Sequence, residues 1–312
     1  MIARVVGATT RAIHFAVLLA WFCAVVLPML WLVSTSLRTT RAIFRNPFGL
    51  PEVLVKPSAA ALHTIAANYA NAWTGSHFGW YFFNSVKVVS ISLALILLLG
   101  SMTAYALARF SFPLRGTIYY LFLAGLLIPM QLILIPLFFQ FTDMGRALTA
   151  ILAPPVKAIG LGTLTVSLHD THAGLILIYV AASLPFTVFV LHAFFRTLPG
   201  ELREAAMMDG AGEYRTFISV MMPLAKPGIV TVAIFNFLGL WNEYLFALVF
   251  ITSDRLKTLP LGLASIGIQA QYKSDYGLLF AGLVITMVPT LLVYIALQEK
   301  LTRGITVGAL KG

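Results

Sequence analysis

The sequence predicts an all-α membrane protein with six transmembrane helices, and its composition and the spacing of its apolar runs carry that prediction. Of the 312 residues, 60% are hydrophobic and only 10% are charged. A soluble domain holds about 45–50% apolar and about 25% charged residues, so the apolar excess has to face the lipid bilayer. A net charge of +10 would also suit nucleic-acid binding. The basic residues are scattered at the ends of apolar runs, however, so we expect no nucleic-acid partner.

Six runs of the chain are long and apolar enough to cross a bilayer, which takes about 20 residues per helix. The first run follows Arg4 and Arg11 and resembles a signal peptide. Its apolar core is too long for one, and no small-x-small cleavage site follows it, so we interpret it as a retained span. The six predicted spans are residues 12–37, 80–108, 117–141, 173–195, 228–251 and 277–298.

The distribution of Lys and Arg predicts the orientation of these spans. Basic residues are denser in the short loops on the side of the two chain termini, which favours a cytoplasmic location for both termini. This topology divides the chain into residues 1–79, with the first span and an outer loop, and a core, residues 80–312, that holds spans two to six.

One fairly apolar segment, residues 147–168, competes with this topology. A span there would make seven and would move the polar loop after the fourth span to the outer side. Pro154, Pro155 and Lys157 oppose a lipid-exposed helix. We therefore expect residues 143–172 to form an outer loop that lies on the membrane face.

A polar loop, residues 199–227, separates the fourth and fifth spans on the predicted cytoplasmic side. Pro199 suits a helix start, and Gly210 suits a helix end because glycine adopts the left-handed conformation without strain. We expect a second helix at 212–222, ended by Pro223. Such a helix pair is either a rigid lever that seats in a groove of a soluble partner or an ordinary connector on the membrane surface.

The loop carries a spaced motif that resembles the EAA signature of ABC-importer permeases. The extended form EAAMMDGA resembles the sugar-importer branch in particular. The segments FNFLGLWNEYLFAL and GITVGALKG resemble the smaller permease subunit of maltose-type importers. The motif consists of Glu204, Ala205, Ala206, Asp209, Gly210, Ala211, Val220, Met222 and Pro223, with Val220 and Met222 standing where Ile and Leu are usual.

The resemblance implies partners and a role for this loop. A carbohydrate importer of this kind contains a second homologous permease subunit, two ATP-binding subunits and an extracytoplasmic solute-binding protein that delivers the sugar. The motif residues would couple the permease to an ATP-binding subunit, with Glu204 as the charged contact. The alanines Ala205, Ala206 and Ala211 would allow close seating, and Gly210 would form the bend. The alternative for Glu204 is an ordinary solvated charge on a helix face.

The sequence contains no GxxxxGK[ST] phosphate-binding loop. We therefore expect no enzyme activity and no cofactor in this chain, with ATP and Mg bound by the partner ATPase. His14 and His192 have no second His or carboxylate at ligand spacing, so we expect no metal site. The last residues, 308–312, either reach the ATPase interface or form a frayed terminus.

Three polar residues of the fifth span, Asn236, Asn242 and Glu243, are candidates for the substrate pathway. An ionisable group inside a membrane is costly and therefore suggests a function. Sugar hydroxyls need hydrogen-bond donors and acceptors, which these side chains offer. The alternative is that they bond to neighbouring helices and hold the bundle together.

Two other classes of protein compete with the importer permease. One is a secondary transporter driven by an ion gradient, although such proteins carry about 10 to 14 spans or internal repeats. The other is a membrane assembly factor.

Overall fold

The computed structural model describes residues 2–159, 163–273 and 275–309, and every regular element within them is helical. The all-α prediction is therefore confirmed. The helices are α1 (Ile2–Ser36), α2 (Thr40–Arg45), α3 (Glu52–Val55), α4 (Ala59–Ala70), α5 (Phe78–Arg109), α6 (Arg115–Leu127), α7 (Met130–Ala158), α8 (His172–Thr197), α9 (Glu201–Met208), α10 (Glu213–Thr216), α11 (Met222–Leu224), α12 (Lys226–Trp241), α13 (Leu245–Phe250), α14 (Leu259–Lys273) and α15 (Tyr276–Ala309). Two π-helical turns, Asn71–Gly75 and Phe217–Met221, follow α4 and α10, and a 3-10 turn covers Asp254–Leu256.

Four of these helices are long and apolar enough to cross a membrane without a break. They lie at Ile13–Ser36, Phe78–Arg109, His172–Thr197 and Tyr276–Gln298. Two further pairs of helices pass the same test only together, because each pair is bent by more than 40° at a short break. The described part of the chain therefore holds up to six spans, if each bent pair counts as one.

The third predicted span, 117–141, is wrong as a continuous helix. The chain bends by 110° between α6 and α7. Pro129 restricts the residue before it to extended backbone, and Ile128 has φ −84° and ψ 117°. The bend therefore follows from one proline, whereas Pro136 is accommodated inside α7.

The predicted outer loop at 143–172 is also wrong over its first half, because α7 continues through Pro154 and Pro155 to Ala158. Each proline lacks the amide that would donate to the carbonyl four residues back, and α7 ends three residues after Pro155. Residues 160–162 lie outside the described part, and 163–168 have no regular structure.

The fifth predicted span, 228–251, is interrupted as well. Helix α12 ends at Trp241, and α13 begins at Leu245. The break lies at the polar sequence Asn242-Glu243-Tyr244, which belongs to the candidate pathway described below.

The chain forms two compact units. The first comprises the chain up to Gly79 together with Leu263–Val288, and the second comprises Trp80–Gly262 and the chain after Val288. In the first unit, the buried Arg38 donates to the carbonyls of Ala42 and Asn46, both at 2.6 Å. In the second unit, a buried cluster joins α5, α8, the π-turn at Phe217–Met221 and α12, and it holds the second helix of the polar loop in place.

Candidate functional site

Helix α9 carries the EAA motif and ends as the sequence predicts. Gly210 has φ +80°, in the left-handed region that favours glycine. Its amide donates to the Met207 carbonyl at 3.0 Å, and the Ala211 amide donates to the Ala206 carbonyl at 3.0 Å. These two bonds form a Schellman motif, which satisfies the last free carbonyls of a helix.

Most of α9 is exposed. Of its eight residues, only Arg203 and Ala206 are half-buried. Glu204, Ala205 and Asp209 are exposed, while Ala211 is half-buried just beyond the cap. Met208 is 88% exposed, which is high for an apolar side chain at the tip of a helix. The motif therefore presents a helix surface without covering contacts in the described part of the chain.

The second helix of the loop is longer than predicted, and Pro223 does not end it. The helical path runs from Glu213 through the π-turn to Leu224, and the chain then bends by 76° into α12. The Met222 amide donates to the carbonyl of Phe217, five residues back. This widened turn precedes Pro223, whose ring would clash with the regular helical carbonyl. Pro223 is exposed.

The apolar side of this second helix is anchored in the second unit. Phe217 is 7% exposed and Met221 is fully buried, and both pack in the cluster with Tyr105 and Phe195. The ring centres of Tyr105 and Phe217 lie 5.0 Å apart. The second helix is therefore fixed to the ends of α5 and α8, whereas α9 is not buried against them.

An ionic network that the sequence analysis missed connects α9 to this anchor. Arg203 forms a salt bridge with Glu213, and its Nε donates to Glu213 Oε2 at 3.3 Å. The Tyr105 hydroxyl donates to the same oxygen at 3.4 Å. The Arg203 guanidinium also lies over the Phe110 ring, 5.6 Å from its centre. Hydrogen bonding to Glu213 raises the pKa of Arg203.

Asn236 lies between α12 and α8. It is 7% exposed, and its amide nitrogen donates to Thr187 Oγ1 and to the Val232 carbonyl, both at 3.0 Å. The side-chain amide thus ties two helices together.

Glu243 occupies the break after α12. Its Oε2 accepts a hydrogen bond from the Tyr179 hydroxyl at 2.6 Å, and its Oε1 accepts one from the Phe246 amide at 2.7 Å. The carboxylate therefore caps α13 and joins it to α8. Asn242 beside it is exposed, and its amide nitrogen donates to the Leu238 carbonyl at 2.8 Å.

The structure does not gather the three pathway candidates into one cluster. Asn236 and Glu243 contact α8 at Thr187 and Tyr179, which are eight residues apart, or about 12 Å along a helix. Of the three, Asn242 is the exposed one.

The described part of the chain exposes a capped helix beyond the end of α8 and holds polar side chains between α8 and α12, an arrangement that suits a subunit of a membrane transporter. The chain belongs to the family of binding-protein-dependent transport system inner membrane components, whose family model matches residues 96–307. It is accordingly a multi-pass permease of the bacterial inner membrane and a subunit of an ABC importer.

Curated relatives match almost the whole chain. The diacetylchitobiose uptake system permease protein NgcG of Streptomyces coelicolor is 43% identical over 313 residues, which cover 99% of this chain and 93% of NgcG. The trehalose transport system permease protein SugB of Mycobacterium tuberculosis is 31% identical over 286 residues, which cover 92% of each chain.

A solved structure shares the fold. It is a bacterial ABC transporter involved in the import of the acidic polysaccharide alginate, with a TM-score of 0.73 and 20% identity. The match covers 94% of this chain and 97% of that chain. At this identity the likeness shows the fold alone.

Proposed function

We propose that this permease carries a carbohydrate, and that a di- or oligosaccharide of N-acetylated amino sugars is the first substrate class to test. The single observation that supports this proposal is the 43% identity to a diacetylchitobiose uptake permease over nearly the full length. The EAAMMDGA form of the EAA motif, which resembles the sugar-importer branch, independently favours a carbohydrate.

The proposed assembly contains a second homologous permease, two ATP-binding subunits and an extracytoplasmic solute-binding protein. ATP and Mg would bind to the ATPase subunits, because the sequence has no phosphate-binding loop of its own. In this assembly both termini of the chain and the loop with α9 face the cytoplasm.

The coupling role belongs to α9 and its cap. The exposed Glu204 carboxylate would pair with a basic side chain of the ATPase, since charge-assisted hydrogen bonds of this type are strong. Ala205, Ala206 and Ala211 would let the two surfaces approach closely. Asp209, Gly210 and Pro223 would set the shape of the loop. The exposure of α9 in the isolated chain supports this role, because a docking helix has to be free of intramolecular cover.

For the pathway, we propose that Asn242 contacts the sugar and that Asn236 and Glu243 position the helices around it. The hydrogen bonds of Asn236 to Thr187 and of Glu243 to Tyr179 support this division. Asn242 is exposed beside the break between α12 and α13, where a sugar hydroxyl could meet its amide.

Two measurements on the reconstituted transporter test the proposal. Glu204→Lys is expected to insert normally but to abolish both co-purification of the ATPase and ATP-driven uptake of labelled diacetylchitobiose. Glu201→Lys makes the same charge change on the same exposed helix outside the motif, and we expect it to behave like the unmodified protein. Normal ATPase binding and uptake in Glu204→Lys would refute the coupling role.

The substrate class is tested on the solute-binding protein that serves this permease. A thermal shift with diacetylchitobiose, but not with trehalose, would support the N-acetylated class. Uptake that continues on a proton or sodium gradient without ATP would refute the ABC mechanism itself.

A further inference from the structure

The helix that carries the EAA motif is too short to be stable by itself. It has eight residues, whereas isolated helices shorter than about 12–15 residues are marginal in water. Its stability therefore depends on contacts with the rest of the chain. Since six of its eight residues are exposed, those contacts are concentrated in Arg203 and Ala206.

Glycines, whose backbone is the least restricted of all residues, lie on either side of α9. The helix begins after Gly200 and is followed by Gly210 and Gly212. A Cβ atom at Gly210 or at Gly212 would meet nothing within 4 Å, so this connection is open on its outside and is held locally by the backbone hydrogen bonds of the cap. The glycines allow α9 to swivel relative to the anchored second helix unless a side chain prevents it.

Arg203 makes that restraining contact. Its guanidinium bonds Glu213 at the start of the anchored helix and lies over Phe110 beyond the end of α5. The Tyr105 hydroxyl holds Glu213 from the α5 side. The side chains of Arg203 and Glu213 are 25% and 37% exposed, so solvent screens this pair less than a fully exposed one.

We propose that Arg203, Glu213 and Tyr105 form a clip that makes α9 move as one rigid body with the ends of α5 and the second loop helix. These are positioning residues, and this inference rests on the proposed coupling function of α9. Without the clip, a movement of the ATPase would be absorbed by rotation at Gly210 and Gly212 and would not reach the membrane spans. The clip therefore determines how efficiently ATP hydrolysis is coupled to transport, while the docking surface itself is unchanged.

The first test measures the rigidity of α9 directly. In a Cys23→Ser background, spin labels at Met208→Cys and Ile218→Cys report the distance between α9 and the anchored helix in the nanodisc-embedded transporter. Both positions are exposed. We expect a narrow distance distribution in the parent protein, a broad one in Arg203→Glu and in Glu213→Arg, and a narrow one again in the double charge reversal. Arg203→Gln serves as the variant of choice if a charge reversal inserts poorly.

The second test measures coupling in the same variants. We expect the ATPase to co-purify as before. The stimulation of ATP hydrolysis by the solute-binding protein with diacetylchitobiose is expected to fall about five-fold in the single variants and to recover in the double variant, as for directly coupled residues. Tyr105→Phe removes only the hydroxyl and is expected to give a smaller loss. Arg215→Glu is the matched control, because Arg215 is exposed and forms no ion pair within the described residues.

The outcomes separate the clip from the coupling function on which it rests. An unchanged distance distribution in Arg203→Glu, or a broad distribution with normal stimulation, would overturn the clip. The clip would also be overturned if the double charge reversal failed to restore the narrow distance distribution or failed to restore the stimulation of ATP hydrolysis. Full ATPase binding and stimulation in Glu204→Lys would instead refute the coupling role of α9, whatever the width of the distance distribution.

Discussion

The Tyr179 hydroxyl donates a 2.6 Å hydrogen bond to the Glu243 carboxylate, which at the same time accepts the backbone amides of Phe246 and Ala247. Tyr179 is 2% exposed, so this bond lies in the interior of the second unit. The Glu243 carboxylate thus caps the start of α13 and fixes the break between α12 and α13 to α8. An acidic residue inside a predicted span is explained here by the helix break that it caps.

Glu243→Ala should therefore destabilise the transporter. The substitution leaves the Tyr179 hydroxyl and two amides without their acceptor, and we expect a loss of about 2 kcal/mol in the free energy of unfolding. Thermal unfolding of the purified transporter measures this loss. Asn242→Ala, at an exposed neighbouring side chain, is the control and should change the stability little. Equal stability of the two variants would contradict the capping role.

The end of α9 offers a test with two nearby glycines. Gly210→Ala places a side chain at φ +80°, which costs about 1 kcal/mol, whereas Gly212 has φ −68° and accepts alanine without such strain. Hydrogen exchange of the Ala211 amide, which closes the cap, should accelerate in Gly210→Ala and stay the same or slow in Gly212→Ala. The same exchange rate in both variants would show that the cap does not depend on the left-handed residue.

Helix α12 approaches α8 closely at Gly228. A Cβ atom there would lie 2.5 Å from Cγ of Phe194, the ring atom nearest the backbone. Gly228→Ala therefore has to displace the whole aromatic side chain. We expect a loss of about 1–3 kcal/mol in the free energy of unfolding. On the same helix, a Cβ at Gly239 meets nothing within 4 Å, so Gly239→Ala should be neutral or stabilising. A stabilising Gly228→Ala would disprove the close approach of the two helices.

Asp170 binds the backbone that follows α13, and its carboxyl group makes the stability of the second unit depend on pH. Its Oδ1 accepts the amides of Thr252 and Ser253 at 3.0 and 2.8 Å. Partial burial acts to raise the pKa of Asp170, but the hydrogen bonds from Ser253 and Thr252 outweigh it and lower the pKa below the ordinary 3.8. The stabilisation by the carboxylate is therefore present above the ordinary pKa and is lost as pH falls through the lowered one.

The test compares Asp170→Asn with the parent protein in thermal unfolding from about pH 6 to about pH 3. Asparagine tolerates the positive φ of 53° at this position, so the variant removes the charge while keeping the backbone. We expect the parent to be more stable by about 1 kcal/mol at the upper pH, with a difference that shrinks at the lower pH. A stability difference between the parent and Asp170→Asn that grows as the pH falls would refute the stabilising role of the Asp170 carboxylate.

The helical class, the number of apolar segments and the end of α9 at Gly210 could be predicted from the sequence. Each depends on local chemistry: apolar length sets the spans, and a glycine in the left-handed region caps a helix whatever surrounds it. The EAA motif was recognisable for the same reason, because its residues lie within one short stretch of chain. The breaks were harder to place, since Pro129 bends the chain by 110° while Pro136, Pro154 and Pro155 lie within α7.

Contacts between residues distant in sequence were decided only by the tertiary structure. Arg203 and Glu213 meet because the chain turns at Gly210, and Tyr105 joins them from a helix that precedes them by about a hundred residues. Glu243 becomes a helix cap because α8 brings Tyr179 to the break after α12. Periodicity and composition fix which face of a helix is apolar, but the partner of a polar side chain is selected by packing, and packing depends on the whole chain.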